Sequence, residues 1–292
     1  MGEAGYSIRL LEPLAGHTSL GLGGPADIYA ECNSFPELKA VLAQCRKDKF
    51  TFFIIGGGTN LLVKDGGYRG ACIKLAGDFT GIELSGGLLS CGAGALLSKA
   101  LSFAAEAGLS GLEKLAGIPG TVGGAVCGNA GTRQGEIKDA VASVSVIDGD
   151  FAEKMVPVSS VKFGYRSSDI PGKGLIITGV KFKLVPGKPE EIKAISAAII
   201  AERNKTQPKG KSAGSVFKNP EGKAAGKLID ECGLKGLKVG GAEVSRLHAN
   251  YIINSGTAAS DVLDLIKTIK RVVQEKTGIA LQEEIKIVGE EC

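Results

Sequence analysis

Histidine is nearly absent from this sequence, with His17 and His248 the only two in 292 residues. A histidine-based metal centre is therefore not expected. The seven cysteines, Cys32, Cys45, Cys72, Cys91, Cys127, Cys232 and Cys292, are odd in number and scattered, with no C-x-x-C pair. That spacing argues against a zinc site or a disulfide frame and for free buried thiols in a reducing cytosol. The stretch Met1 to Leu10 has no apolar core of a secretion signal and carries Glu3, so no signal peptide is expected there. Long apolar runs are also missing. The longest uncharged stretch, Leu115 to Thr132, holds six glycines and Pro119, which excludes an uninterrupted membrane helix. The expectation is a soluble, cytoplasmic protein that does not enter a membrane.

What is present is glycine. Forty-four of 292 residues are glycine, about 15% against a usual share of roughly 7%, without the strict G-X-Y period of collagen. A hydrophobic content of 43% is enough apolar surface to offset the entropy of ordering. The length permits one large domain or two to three smaller ones. Dense glycine then suggests a backbone that comes close to something.

Patterning places the elements. Ser34-Phe-Pro-Glu37 reads as a capping box, followed by Leu38, Val41, Leu42 and Cys45 at helical spacing. A short apolar strand, Phe52 to Ile55, runs into Gly56-Gly57-Gly58-Thr59-Asn60. Further strands are predicted at Ala71 to Leu75 and in a hairpin from Ile82 to Cys91 with Gly86-Gly87 at its tip. A helix from Leu96 to Ala107 ends at Gly108, and Ser110-Gly-Leu-Glu113 offers a second capping box. A hairpin over Val141 to Val156 and a strand over Leu175 to Val185 lead to Pro186-Gly187-Lys188-Pro189, the predicted domain boundary. Beyond it come helices at Glu190 to Asn204, Ala224 to Glu231 and Asp261 to Lys276, the last with Val262, Leu265, Ile266, Ile269, Val272 and Val273 inward. A strand over Glu284 to Val288 ends the series.

Three features could carry chemistry. The first glycine loop follows a strand, where backbone N–H groups can converge on a phosphate. It is neither a Walker A loop nor a Rossmann fingerprint, since no G-K-[S/T] follows and Leu61 stands where the third glycine belongs; a plain tight turn is an equal reading. The second loop is denser, with nine glycines in the 28 residues from Gly108 to Gly135, which favours contact with a flat or phosphorylated ligand. The third is charge. Residues 203–227 carry Arg203, Lys205, Lys209, Lys211, Lys218, Lys223 and Lys227 against Glu221, a local +6 within a chain of +4, leaving −2 elsewhere. A solvated surface is the ordinary reading of such a run and an anionic ligand competes with it, whereas nucleic acid is less favoured: only Phe217 interleaves the charges and the remainder is slightly acidic.

Ile118-Pro-Gly-Thr-Val-Gly-Gly-Ala125, Tyr165-Arg166-Ser167, Gly214-Ser-Val-Phe-Lys-Asn-Pro220 and Leu281-Gln-Glu-Glu-Ile-Lys-Ile-Val-Gly289 follow one another in that order. Gly21-Leu-Gly-Gly-Pro-Ala-Asp27, Gly56-Gly-Gly-Thr-Asn-Leu-Leu62 and His248-Ala-Asn-Tyr-Ile-Ile-Asn254 extend the pattern. Together the blocks resemble the UDP-N-acetylenolpyruvoylglucosamine reductase (MurB) family, in its shorter class, from about residue 12 to 289. The resemblance implies an α+β fold: a two-lobed FAD-binding domain of the vanillyl-alcohol-oxidase (PCMH) type, with lobes at 1–80 and 81–187, plus a smaller α+β substrate-binding domain at 188–292. It places non-covalent FAD along Gly56, Gly57, Gly58, Thr59, Asn60 and Leu61, and along Ile118, Pro119, Gly120, Thr121, Gly123, Gly124 and Ala125, with Val180 near the ring.

The same resemblance assigns the chemistry to Arg166, Ser215 and Glu284. NADPH reduces the flavin, which passes hydride to the enolpyruvyl double bond of the UDP-sugar. Arg166 would neutralise the charge that builds on the carboxylate, Glu284 would polarise that carboxylate, and Ser215 would protonate the alpha carbon. Asn219, Lys218 and Lys205 would bind the diphosphate or sugar. No metal, nucleic acid or membrane partner is expected, and the chain is expected to be a monomer. Two alternatives stand beside this reading: a flavin oxidase on the same lobes, and a nucleotide-sugar-binding module that has lost catalysis.

Overall fold

The computed structural model describes residues 7–291; the start of the stretch read for a leader, and Cys292, lie outside the described residues. Its largest sheet has five antiparallel strands in the order Glu153–Pro157, Val141–Ile147, Ile176–Phe182, Leu88–Gly92, Ile82–Ser85. The expected hairpin tip is present: Ser85 pairs with Leu88, and Gly86 and Gly87 have φ of +58° and +77°, as a two-residue hairpin turn requires. A second sheet orders its strands Ser7–Pro13, Pro25–Cys32, Tyr68–Leu75, Phe52–Ile55, and its last pair is parallel. The first two of these strands escape sequence patterning. Ser7–Pro13 is exposed along nearly its whole length, so no alternation marks it.

Helix α1 (Phe35–Lys47) starts as its sequence indicates, with the Glu37 N–H donating to Ser34 Oγ at 3.5 Å and Leu38, Val41, Leu42 and Cys45 buried. The Glu37 carboxylate reaches one residue further back than a capping box, to the Asn33 N–H at 2.8 Å. Helix α2 (Leu97–Glu106) ends at Gly108, which has φ +66°. The second expected capping box starts no α-helix. Ser110 Oγ donates to Glu113 Oε1 at 2.8 Å and the Gly111 N–H to Oε2 at 2.6 Å, closing a turn before a 3-10 segment at Glu113–Leu115.

The main chain divides into two compact units, crossing between them at 9/10, 28/29, 57/58, 70/71 and 203/204. One holds residues up to Arg9, Tyr29–Gly57 and Ala71–Arg203, including the five-stranded sheet and most of helix α4 (Pro189–Thr206). The other holds Leu10–Ile28, Gly58–Gly70 and the residues from Asn204 on. Helices α5 (Ala225–Glu231) and α6 (Ala259–Thr277) belong to it, with a three-stranded sheet ordered Lys238–Val239, Ala242–Val244, Ile252–Asn254. Val262, Leu265, Ile266, Ile269 and Val273 of α6 are buried with Phe217, Leu228, Ile229 and Leu62, while Val272 is only partly so. Each such side chain contributes about 1.5–3 kcal/mol on burial. The last strand is Lys286–Val288, parallel to Leu61–Val63. It begins two residues later than expected, so Glu284 precedes it.

No disulfide joins the cysteines of the described residues. Burial pushes the Cys32, Cys72 and Cys91 thiols up to about 12, which keeps them protonated and inert. Cys127 is partly exposed.

No side chain of its own segment caps α6; Asp65 does so from far along the chain. Its Oδ1 accepts the Ala259 N–H at 2.6 Å and its Oδ2 the Ser260 N–H at 2.9 Å. Burial pulls the Asp65 pKa up, but these N–H groups outweigh it and hold the carboxyl below its ordinary value. A lowered native pKa gives stabilisation that is present above the unfolded pKa of about 3.9 and lost as pH falls through the native value. Asp65→Ala is therefore expected to cost about 0.5–2 kcal/mol at neutral pH. Asp65→Asn should flatten the acid limb; urea denaturation across pH 7 to 3 measures both.

Candidate active site

Strand Phe52–Ile55 delivers the first glycine loop at its end, and in the same unit that loop meets the second. A Cβ at Gly56 would lie 2.5 Å from Thr121 Oγ1, so only glycine lets the two approach. Thr121 is itself buried and caps α3 (Val122–Cys127), accepting the Gly124 N–H at 3.3 Å. Sequence patterning gives no sign of this short helix inside the glycine loop, because its paired glycines and its two valines weigh against helix by propensity. Tertiary bonds override propensity here: the Val122 N–H donates to Ala95 O and the Gly123 N–H to Ala93 O, both at 2.8 Å. A Cβ at Gly123 would sit 2.8 Å from the Ala93 Cβ.

Gly57, Pro119 and Gly124 are exposed, Gly56, Ile118, Gly120 and Thr59 partly so, and Ala125 is buried. Gly120 has φ +110°. Val180 is buried at the centre of the five-stranded sheet, paired with Val144 on one side and Cys91 on the other. Helix α3 packs on its strand.

Arg166 occupies a two-residue turn, for Gly164 pairs with Ser167 across it. It has φ +52°, a conformation that costs an L-residue energy and is retained where surroundings demand it. Its Nη2 donates to Gly131 O at 2.8 Å, its Nη1 lies 4.0 Å from Glu136 Oε1, and its Cζ is 5.2 Å from the Tyr165 ring centroid. Glu136 also takes the Asn129 amide at 2.9 Å and the Lys138 ammonium at 2.6 Å. Asn129 is fully buried, its second amide hydrogen goes to Gly164 O at 2.9 Å, and its Oδ1 has no partner among the described residues. The end of the second glycine loop thus holds the Arg166 turn, through Asn129 and Glu136, which sequence reasoning does not single out.

The other unit gathers Ser215, Glu284 and Asn60. Ser215 forms a bridge with Tyr251, and Phe217 one with Glu283. The Glu284 N–H donates to Val216 O at 2.8 Å, so the Ser215 and Glu284 segments run side by side. Asn60 joins them from the end of the first glycine loop: its Nδ2 donates to Glu284 O at 3.3 Å and its O accepts the Lys286 N–H at 3.0 Å. Leu61, next to it, is buried. Glu283, the neighbour of Glu284, binds the Lys270 ammonium at 2.7 Å. Burial raises its pKa, but Lys270 and a backbone N–H together more than compensate and the net position is lowered.

The basic run has several roles. Asn219 is exposed, and its Oδ1 accepts the Ala225 N–H at 3.0 Å, capping α5. Lys218 is half-buried with its N–H on Gln282 O at 2.9 Å, and Lys205 is exposed on the last turn of α4. Phe217 is 1% exposed, which removes the one aromatic that could have stacked on a base. Among the described residues no helix is long and apolar enough to cross a membrane.

Two family models match: the C-terminal domain of UDP-N-acetylenolpyruvoylglucosamine reductase over residues 206–288 and an FAD binding domain over residues 26–150. A reductase of that name from Clostridioides difficile (strain 630) is 42% identical, covering 97% of this chain and 94% of that protein. One from Caldanaerobacter subterraneus subsp. tengcongensis is 44% identical over 97% and 94%. The crystal structure of the Thermus caldophilus reductase superposes with a TM-score of 0.84 at 43% identity, covering 97% of this chain and 98% of that one. The chain belongs to the UDP-N-acetylenolpyruvoylglucosamine reductase family. Its α+β architecture with an FAD-binding domain is the one expected from sequence.

The FAD binding domain that this MurB-family chain matches, over residues 26–150, takes in both glycine loops. Gly57 and Gly124 are exposed glycines, one on each loop, and Gly56 lies against Thr121 where the loops meet. A methyl group at Gly56 or Gly123 has no room. Gly56→Ala and Gly123→Ala are each expected to destabilise by about 1–3 kcal/mol through overpacking and to weaken FAD binding. Thermal denaturation and titration of flavin fluorescence report the two effects separately.

Proposed function

We infer that this chain reduces the enolpyruvyl group of UDP-N-acetylglucosamine enolpyruvate to give UDP-N-acetylmuramate, the NADPH-dependent step of peptidoglycan precursor synthesis. The observation that carries the reading is its likeness to curated reductases over 97% of its length. Arg166, Ser215 and Glu284 are all present in their motifs. FAD, held non-covalently along Gly56 to Leu61 and Ile118 to Ala125, supplies hydride transfer between NADPH and the substrate. The lobes at 1–80 and 81–187 hold the cofactor and 188–292 the UDP-sugar. The enzyme works as a cytoplasmic monomer.

Adding hydride beta to a carboxylate builds negative charge on the carboxylate oxygens. The Arg166 guanidinium, oriented by Gly131 O, meets that charge as a preorganised cation. Glu284 polarises the same carboxylate. Ser215 closes the reaction: its O–H bond breaks as a C–H bond forms at the alpha carbon, and the alkoxide left on Oγ regains a proton from solvent. A hydroxyl is a weak acid, so this step works only where Oγ is held against a strongly basic carbon. Lys218 and Lys205 supply positive charge for the diphosphate, and Asn219, whose Oδ1 caps α5, offers its Nδ2 to the sugar nucleotide.

Purified protein should be yellow, bleach with NADPH and regain colour on addition of the enolpyruvyl UDP-sugar. A colourless protein with no FAD affinity would overturn the reading, and recolouring by air as fast as by substrate would point to the oxidase instead. Arg166→Ala is expected to lower turnover by about 10²–10³, the loss seen when one transition-state charge donor is removed. Ser215→Ala should spare bleaching by NADPH and impair recolouring; stopped-flow absorbance resolves the two half-reactions.

A further inference from the structure

The segment carrying Ser215 is bound on both flanks, and every backbone polar group of Val216 and Phe217 has a partner. On one flank the Val216 N–H donates to Asn250 O at 2.8 Å. The Asn250 side chain then takes both groups of the next residue: its Oδ1 accepts the Phe217 N–H at 2.9 Å and its Nδ2 donates to Phe217 O at 2.8 Å. On the other flank Val216 O accepts the Glu284 N–H at 2.8 Å and the Lys218 N–H donates to Gln282 O at 2.9 Å. Asn250 is 3% exposed and Phe217 1%, so water cannot replace these bonds. One side-chain amide thus acts as a strand partner for the residue two places after Ser215.

We propose that Asn250 is a positioning residue for Ser215, setting where its hydroxyl stands for proton delivery to the substrate. The proposal rests on the reading of Ser215 as the proton donor. The physical reason is the demand that step makes. A weak acid must be placed closely, and a displacement of about 1 Å in such a group costs about 100-fold in rate. Ser215 follows Gly214, which has φ +73° and open space where a side chain would stand, while further back Ala213 is buried and Ser212 O accepts the Ser19 hydroxyl at 2.6 Å. On the C-terminal side the hold is at Val216 and Phe217, and Asn250 provides three of its hydrogen bonds. Asn cannot be exchanged for Asp, because a carboxylate accepts the Phe217 N–H yet presents a second acceptor to Phe217 O.

The test is a double-mutant cycle on the FAD-loaded enzyme, with Asn250→Ala, Asn250→Asp, Ser215→Ala and the double variants. Each is followed through bleaching by NADPH and recolouring by the enolpyruvyl UDP-sugar, in H₂O and in D₂O. The expected result is unchanged bleaching and a recolouring rate lowered about 10- to 100-fold, with a larger solvent isotope effect as protonation becomes limiting. In the Ser215→Ala background the Asn250 substitutions should have no further effect on recolouring. Additive losses in that background, or equal losses in both half-reactions, would overturn the proposal. So would failure of both Asn250 variants to bind FAD, which would make Asn250 a folding residue. Full recolouring by Ser215→Ala alone would instead overturn the reading of Ser215 on which the proposal stands.

Discussion

At Gly92 in one unit and Gly24 in the other, main chain passes main chain so closely that a Cβ would lie 2.0 Å from Phe79 O and 2.1 Å from Asp65 O. No side chain fits between, and much else follows from such contacts. The contact at Gly24 lies against the backbone of Asp65, whose side chain caps α6. The contact of Gly56 with Thr121 brings the two glycine loops together, and Thr121 in turn starts α3. High glycine content is therefore the material that lets irregular backbone pack at the density of a core.

Close backbone approach leaves polar groups that must be satisfied without water. The structure meets this with side-chain amides and carboxylates placed at a distance in sequence. Asn250 serves Phe217, Asp65 serves Ala259 and Ser260, and Asn129 serves Gly164 and Glu136. Each sits beside a residue with a proposed chemical role or a core helix. Removing such a residue leaves a buried donor or acceptor without a partner, which is the costly direction of the hydrogen-bond asymmetry.

Charge is arranged by the same logic. The basic run is not a uniform face. Lys227 lies 3.7 Å from Glu231, Lys218 is tied by its backbone, and Arg203 packs its side chain under Gly117. Arg166, by contrast, sits with a carboxylate at 4.0 Å that is itself shared with Lys138 and Asn129. Glu136 therefore divides its charge among several donors, so it restrains the guanidinium without fully neutralising it.

Local chemistry is enough to read α1, α2, α4 and α6, the two hairpins and the turn at Gly86-Gly87, because caps, apolar periodicity and positive-φ glycines act within a few residues. The ordered motifs likewise mark Arg166, Ser215, Glu284 and the glycine loops from sequence. Strand Ser7–Pro13 stays hidden because its exposed edge carries no alternation, and α3 because its glycines oppose helix until Ala93 and Ala95 accept its first N–H groups. Ser110–Glu113 matches a capping box in spelling, yet its carboxylate closes a turn. Asn250 lies inside a recognised motif with no role attached. Its bonds to Phe217 span 33 residues, and such pairings are set by which segments the folded backbone brings side by side.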